Sequence, residues 1–186
     1  MKRLLLGLCG WLLVAPVLAQ AQSQVQAWVS WVMDGDTVLL LPEGEREPVK
    51  FRLQGIDAPE SCQPGGEGAR DALMALVLRR TVQVEPHGHD SYGRQLGKLL
   101  INDLDVGAEM VRSGWAWAYS YRTGRGPYSA LQRDAERGKR GLFAARETAM
   151  SPAVFRQFHG SCHGEDKPMV QAPVQRVPQT GHAGSR

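Results

Sequence analysis

The chain has 186 residues, a formal net charge of +3 and three cysteines. Its first 21 residues, MKRLLLGLCGWLLVAPVLAQA, set Lys2 and Arg3 before an apolar run that ends in small residues. Cleavage there removes both cations and lowers the balance to +1, so net charge does not by itself point to a polyanionic partner.

That opening segment reads as a secretory signal peptide. Val17-Leu18-Ala19 and Ala19-Gln20-Ala21 both fit a small-x-small cleavage site. The apolar run is short for a retained membrane anchor, and Leu8 is bulky for the residue before a lipidated Cys9. About 165 residues remain, one domain's worth. Cys62 and Cys162 are then the two cysteines left, and an even count in an exported protein predicts one disulfide. The alternative, two free thiols, is disfavoured in an oxidising compartment.

Val25, Ala27, Val29, Trp31 and Met33 fall at alternate positions and predict a strand with those five on one face. DGDT, residues 34–37, makes a turn, and TVLLL continues as a second strand. PEGEREP is a turn-rich connection. Val49, Phe51 and Leu53 alternate with Lys50, Arg52 and Gln54 in a third strand. Gly55 and Pro59 bracket a loop that carries Asp57 and Glu60. Ala69, Ala72, Leu73, Leu76 and Val77 recur at helical spacing and predict a helix over roughly 66–80.

TVQVE and QLGKLLI are two further strands, joined by PHGHDSYGR. Asp105 is placed to cap a short helix with Val106, Met110 and Val111, ended by Gly114. Pro127 is placed to open a third helix with Tyr128, Leu131 and Ala135, ending near Gly138. The expected class is α+β, mainly β: a small five-stranded OB-type barrel with three packed helices. A sandwich needs more strands than the pattern supplies. From about Gly164 the chain is rich in Pro, Gln and Gly, and 164–186 reads as a disordered tail behind a folded domain at 22–163.

Asp36 and Asp57 fall at strand ends in short loops. Two carboxylates plus a backbone carbonyl make a hard, oxygen-rich site that suits Ca²⁺ or Mg²⁺ and not zinc. DGDT alone is equally well a tight turn, and Arg52 alone could serve as a salt-bridge partner with its stem on the barrel. Together with Arg94 after Tyr92-Gly93, and with the spare carboxylate of Glu60, they describe phosphoryl-transfer chemistry: guanidinium forks for phosphate oxygens, a metal to polarise the ester, a carboxylate for water.

FRLQGIDAPE after VMDGDTVLL, then DSYGR, then AYSY ahead of a helix, resembles the staphylococcal nuclease (thermonuclease) family over roughly residues 25–145. The resemblance implies an OB-type barrel and Ca²⁺-dependent cleavage of DNA and RNA phosphodiesters that leaves 3′-phosphates. It places one Ca²⁺ ion on Asp36, Asp57 and the carbonyl of Ala58, the catalytic arginines on Arg52 and Arg94, and the water-activating or water-orienting carboxylate on Glu60. Tyr92, Tyr119 and Tyr121 fall on aromatics of the nucleotide pocket.

A stacking pocket implies little sequence preference and favours single strands. A monomer, periplasmic or secreted, without stable membrane association after cleavage, is expected. Ala58 stands where the founding member has threonine, which leaves a carbonyl ligand intact. Ser91 replaces a lysine, the loop after Glu60 is shorter, and Phe143 stands where tryptophan is usual.

His87 and His89, and the group His159, Cys162 and His163, lack a complete zinc set at standard spacing and read as exposed loop residues. Trp115 and Trp117 read as packing residues. Arg137, Lys139 and Arg140 read as a solvated helix end. The competing function is a nuclease-like domain that binds nucleic acid without cutting it; the complete set of arginines and carboxylates argues against that. A phosphodiesterase for small phosphate esters is a third possibility.

Overall fold

The computed structural model describes residues 25–119, 126–144, 149–160 and 162. The segment expected to be a signal peptide, Tyr121, His163 and the expected tail at 164–186 lie outside the described residues. The five expected strands all form: β1 (Val25–Val32), β2 (Thr37–Pro42), β3 (Val49–Leu53), β5 (Thr81–His89) and β6 (Gln95–Ile101). Antiparallel pairings run β3-β2-β1-β5-β6, and a parallel pairing of β3 with β6 closes the barrel. Three two-residue strands were not anticipated: β4 (Ile56–Asp57), β7 (Leu104–Asp105) and β8 (Trp117–Ala118).

Inside the barrel lie Val29, Val38, Leu40, Phe51, Leu53 and Leu99, all fully buried. The alternation that predicted β1 holds only to Val29. A register shift between Val29 and Trp31 reverses the faces, so Val32 turns inward while Trp31 is half exposed with the Arg70 guanidinium 5.2 Å above its ring. Trp31 therefore does not share the face of Ala27 and Val29.

Helix α1 (Gly66–Val77) lays Ala69, Leu73 and Val77 into the core. Helix α2 (Val106–Arg112) packs against α1, β6 and the third helix. Asp105 caps it as expected, accepting from the Ala108 N–H, and its other carboxylate oxygen accepts from the Tyr128 hydroxyl at 2.7 Å. Burial first, then that carboxylate, holds the Tyr128 hydroxyl above its ordinary pKa. Helix α3 (Ser129–Arg137) buries Ala135, and a short 3₁₀ turn over Gly141–Ala144 sets Phe143 edge-on against Trp117. Phe143 thus fills a core position.

A fourth helix, α4 (Pro152–His159), is an addition to the expected three. Ser151 caps it, Pro152 occupies its first turn, and Phe155 is its apolar anchor. Cys62 and Cys162 form a disulfide, with Cα atoms 5.7 Å apart.

Candidate active site

Asp36 sits in the turn between β1 and β2. The Asp34 carboxylate accepts from its N–H, closing the turn, and its carbonyl accepts from Leu53 at 2.8 Å, carrying the β2–β3 ladder one step further. Since Thr37 pairs with Arg52 across that ladder, Asp36 and Arg52 are neighbours by register. Gly35 is required by close approach: a Cβ there would lie 2.6 Å from the Ala58 Cβ and 2.8 Å from the Ala69 Cβ. Asp57 reaches the same place from the other side, on β4, where it pairs with Trp117 of β8.

The two buried carboxylates converge on one cation. Arg52 Nη2 lies 2.9 Å from Asp36 Oδ2 and 3.3 Å from Asp57 Oδ1. Its Nη1 donates to the carbonyls of Leu53 and Ile56, at 2.7 and 3.0 Å, which fixes the fork. Asp36 Oδ2 also accepts from the Ala58 N–H at 2.7 Å. Burial pushes the Asp36 carboxyl up to about 7, against the pull of Arg52 and with a push from Asp34. Burial likewise raises Asp57, opposed by Arg156 and Arg52 and reinforced by Asp36.

Glu60 follows in the next loop, on the far side of a residue the sequence did not single out. Arg156 of α4 donates from Nη1 to Glu60 Oε1 at 2.8 Å and to Asp57 Oδ1 at 3.2 Å, and from Nη2 to Asp57 Oδ2 at 2.8 Å. These hydrogen bonds, outweighing partial burial, hold its guanidinium above its ordinary pKa. Three carboxylates thus surround two guanidinium groups. Nothing local in the sequence marks Arg156, because its partners lie 96 and 99 positions away.

Arg94 is not in this contact. It precedes β6, and its Nε pairs with Asp90 Oδ2 at 2.7 Å, while Asp90 Oδ1 accepts from the N–H groups of Tyr92 and Arg94. Asp90 therefore organises the DSYGR turn. Partial burial would raise its pKa, but the bonds from Arg94 and Tyr92 outweigh this and lower it. Tyr92 is largely exposed, with the Arg94 guanidinium over its ring at 5.4 Å. Register keeps Arg94 close to the site's strand, since the next residue, Gln95, pairs with Phe51.

Tyr119 lines a cleft of about 470 Å³ that opens on Asp57, together with Trp117, Gln132, Arg133 and Ser151. Its backbone N–H donates to Gly55, which anchors it beside the acidic loop. Tyr121 lies outside the described residues.

The donor set fits a hard divalent cation. Asp36 and Asp57 are buried carboxylate oxygen donors brought together from the β1–β2 turn and from β4, the hard donor type that a divalent cation takes, although Arg52 Nη2 now pairs with both. Among the described residues no three Asp, Glu, His or Cys side chains are arranged to hold a metal by themselves. A site here would need backbone and solvent oxygen to complete it. Cys162 is committed to the disulfide.

Residues 50–145 match the family described as staphylococcal nuclease homologue. The chain is 38% identical over 156 residues to protein ParB of Escherichia coli, covering 78% of this chain and 87% of that protein. It is 37% identical over 130 residues to an uncharacterized endonuclease of Escherichia coli O157:H7, covering 69% and 82%. It is 38% identical over 112 residues to a micrococcal nuclease of Shigella flexneri, covering 52% and 63%. Two of these three relatives are named as nucleases, and the barrel closes as the motif order led one to expect. The chain belongs to the staphylococcal nuclease family and is a nuclease.

Proposed function

We propose that the protein is an exported, Ca²⁺-dependent endonuclease that hydrolyses DNA and RNA phosphodiesters with little sequence preference and leaves 3′-phosphates. The observation that carries this reading is the convergence of Asp36 and Asp57 on Arg52 Nη2, with Glu60 linked to Asp57 through Arg156. Asp36, Asp57 and the Ala58 carbonyl would hold the ion, which when bound neutralises phosphate charge and polarises the ester.

Glu60 takes a proton from the attacking water or orients it for in-line displacement. Arg52 comes to the phosphate pre-oriented, because two backbone carbonyls anchor its Nη1. Arg94 binds a phosphate oxygen on leaving Asp90, or with the Nη atoms that Asp90 does not engage. Tyr119, in the cleft beside Asp57, offers a ring face to any base, which supports sequence tolerance and a preference for unstacked strands. The Cys62–Cys162 bridge supports export to an oxidising compartment.

The test is digestion of heat-denatured DNA and of RNA in millimolar Ca²⁺, then in EGTA, by wild type and Glu60→Gln. Wild type should cut both polymers only with Ca²⁺ and leave 3′-phosphate ends. Glu60→Gln should cut about 100-fold more slowly or worse. Cutting that survives EGTA, or binding without cutting, would overturn the reading.

A further inference from the structure

Helix α4 reaches the site through two ties to one loop. Gln63, almost fully buried, donates to the Met150 carbonyl at 2.6 Å just before the helix, and its Oε1 accepts from the Glu60 N–H at 3.2 Å. Cys62, the next residue back, bonds to Cys162 just past the helix, and its N–H donates to the Cys162 Sγ at 3.0 Å. The loop that carries Glu60 therefore clamps α4 on both sides of Arg156. Phe155 fixes the helix rotation by burying itself beside Arg156 and stacking on His159 at 4.4 Å. Both Arg156 and Cys162 lie beyond the 50–145 span that matches the family.

What this clamp delivers is a positive charge on two of the carboxylates the chemistry needs. Both oxygens of Asp57 and one of Glu60 are engaged by Arg156. An oxygen cannot serve a guanidinium fork and a divalent cation at full strength together, and two cations at such close quarters repel. Resting on the calcium reading above, we propose that Arg156 is a built-in competitor for the divalent ion. It neutralises Asp57 and Glu60 in the ion-free enzyme and gives way when the ion binds, so α4 sets the ion concentration at which the site fills. Tethering keeps the competitor at a high effective concentration, and its 36% side-chain exposure gives it a solvent-side route out. If Arg156 instead served to orient Asp57 for the ion, its loss would weaken ion binding, so the two roles differ in sign.

Isothermal titration of Ca²⁺ alone, without substrate, reads that sign. Arg156→Gln should bind Ca²⁺ about tenfold more tightly than wild type. Arg156→Lys, which keeps the charge but loses the two-pronged grip on Asp57, should fall between. Cys62→Ser with Cys162→Ser, which unties α4 and leaves Arg156 in place, should also tighten binding, and should add nothing in the Arg156→Gln background. Unchanged or weaker binding in Arg156→Gln or in the untied protein overturns the proposal. Tight and equal binding by wild type and Arg156→Gln overturns it alone. Failure of both to bind Ca²⁺ at millimolar concentration overturns the calcium reading and this inference with it.

Discussion

Asp36 is buried, and the charged groups around it are Arg52, Asp34 and Asp57. Burial wins, and the carboxyl is raised from its ordinary value to about 7. A carboxyl raised in the folded state binds more protons there than in the unfolded chain between those two values. Its contribution to stability therefore falls as pH rises from about 4 to about 7. Asp36→Asn removes that slope. Urea unfolding in EDTA should show wild type losing about 1–4 kcal/mol relative to Asp36→Asn across this window. A difference that stays flat, or grows in favour of wild type, would contradict the burial account.

The residues that carry this charge cluster were unequally legible. Asp36, Arg52, Asp57 and Glu60 stand within 25 residues in short turns, where crowded acids and a strand arginine are conspicuous. Arg94 was found by its motif, but its partner Asp90, inside the same motif, was not assigned a role. Arg156 was invisible, because a side chain that joins a cluster only through tertiary packing leaves no spacing to read.

Among the elements, the strands were recoverable because each is buried on one face, and burial writes a period of two. The bulge in β1 was not, since one extra residue reverses the parity without any compositional mark. The two-residue strands β4 and β8 are too short for a period, and α4 offers only eight residues with Phe155 as its inward-facing aromatic.

The same scale governs how the acidic turn meets α1. Gly35 packs so closely on Ala58 and Ala69 that neither short side chain can rotate aside. Gly35→Ala should cost about 1–3 kcal/mol in urea unfolding, by forcing the turn off the helix. No measurable loss would mean that the turn can move off the helix without cost.

At the scale of the whole molecule, the barrel and the first three helices share one core, while α4 is attached at its edge by Phe155, Arg156 and the disulfide. The crosslink spans 100 positions, so in the chain-entropy picture it contributes up to about 4–5 kcal/mol by restricting the unfolded chain. The Cys62→Ser, Cys162→Ser double variant should lose stability of that order, read as a lower urea midpoint in EDTA. An unchanged midpoint would mean that the bridge does not form in the purified protein. The cysteine count made this pairing readable in advance; what it fastens was not, because that needed α4.

The same bond has a topological effect. It turns everything from the loop after Glu60 through the end of α4 into a covalent ring. A single peptidase cut anywhere inside that ring opens it without separating fragments, so the once-nicked nuclease still travels as one molecule.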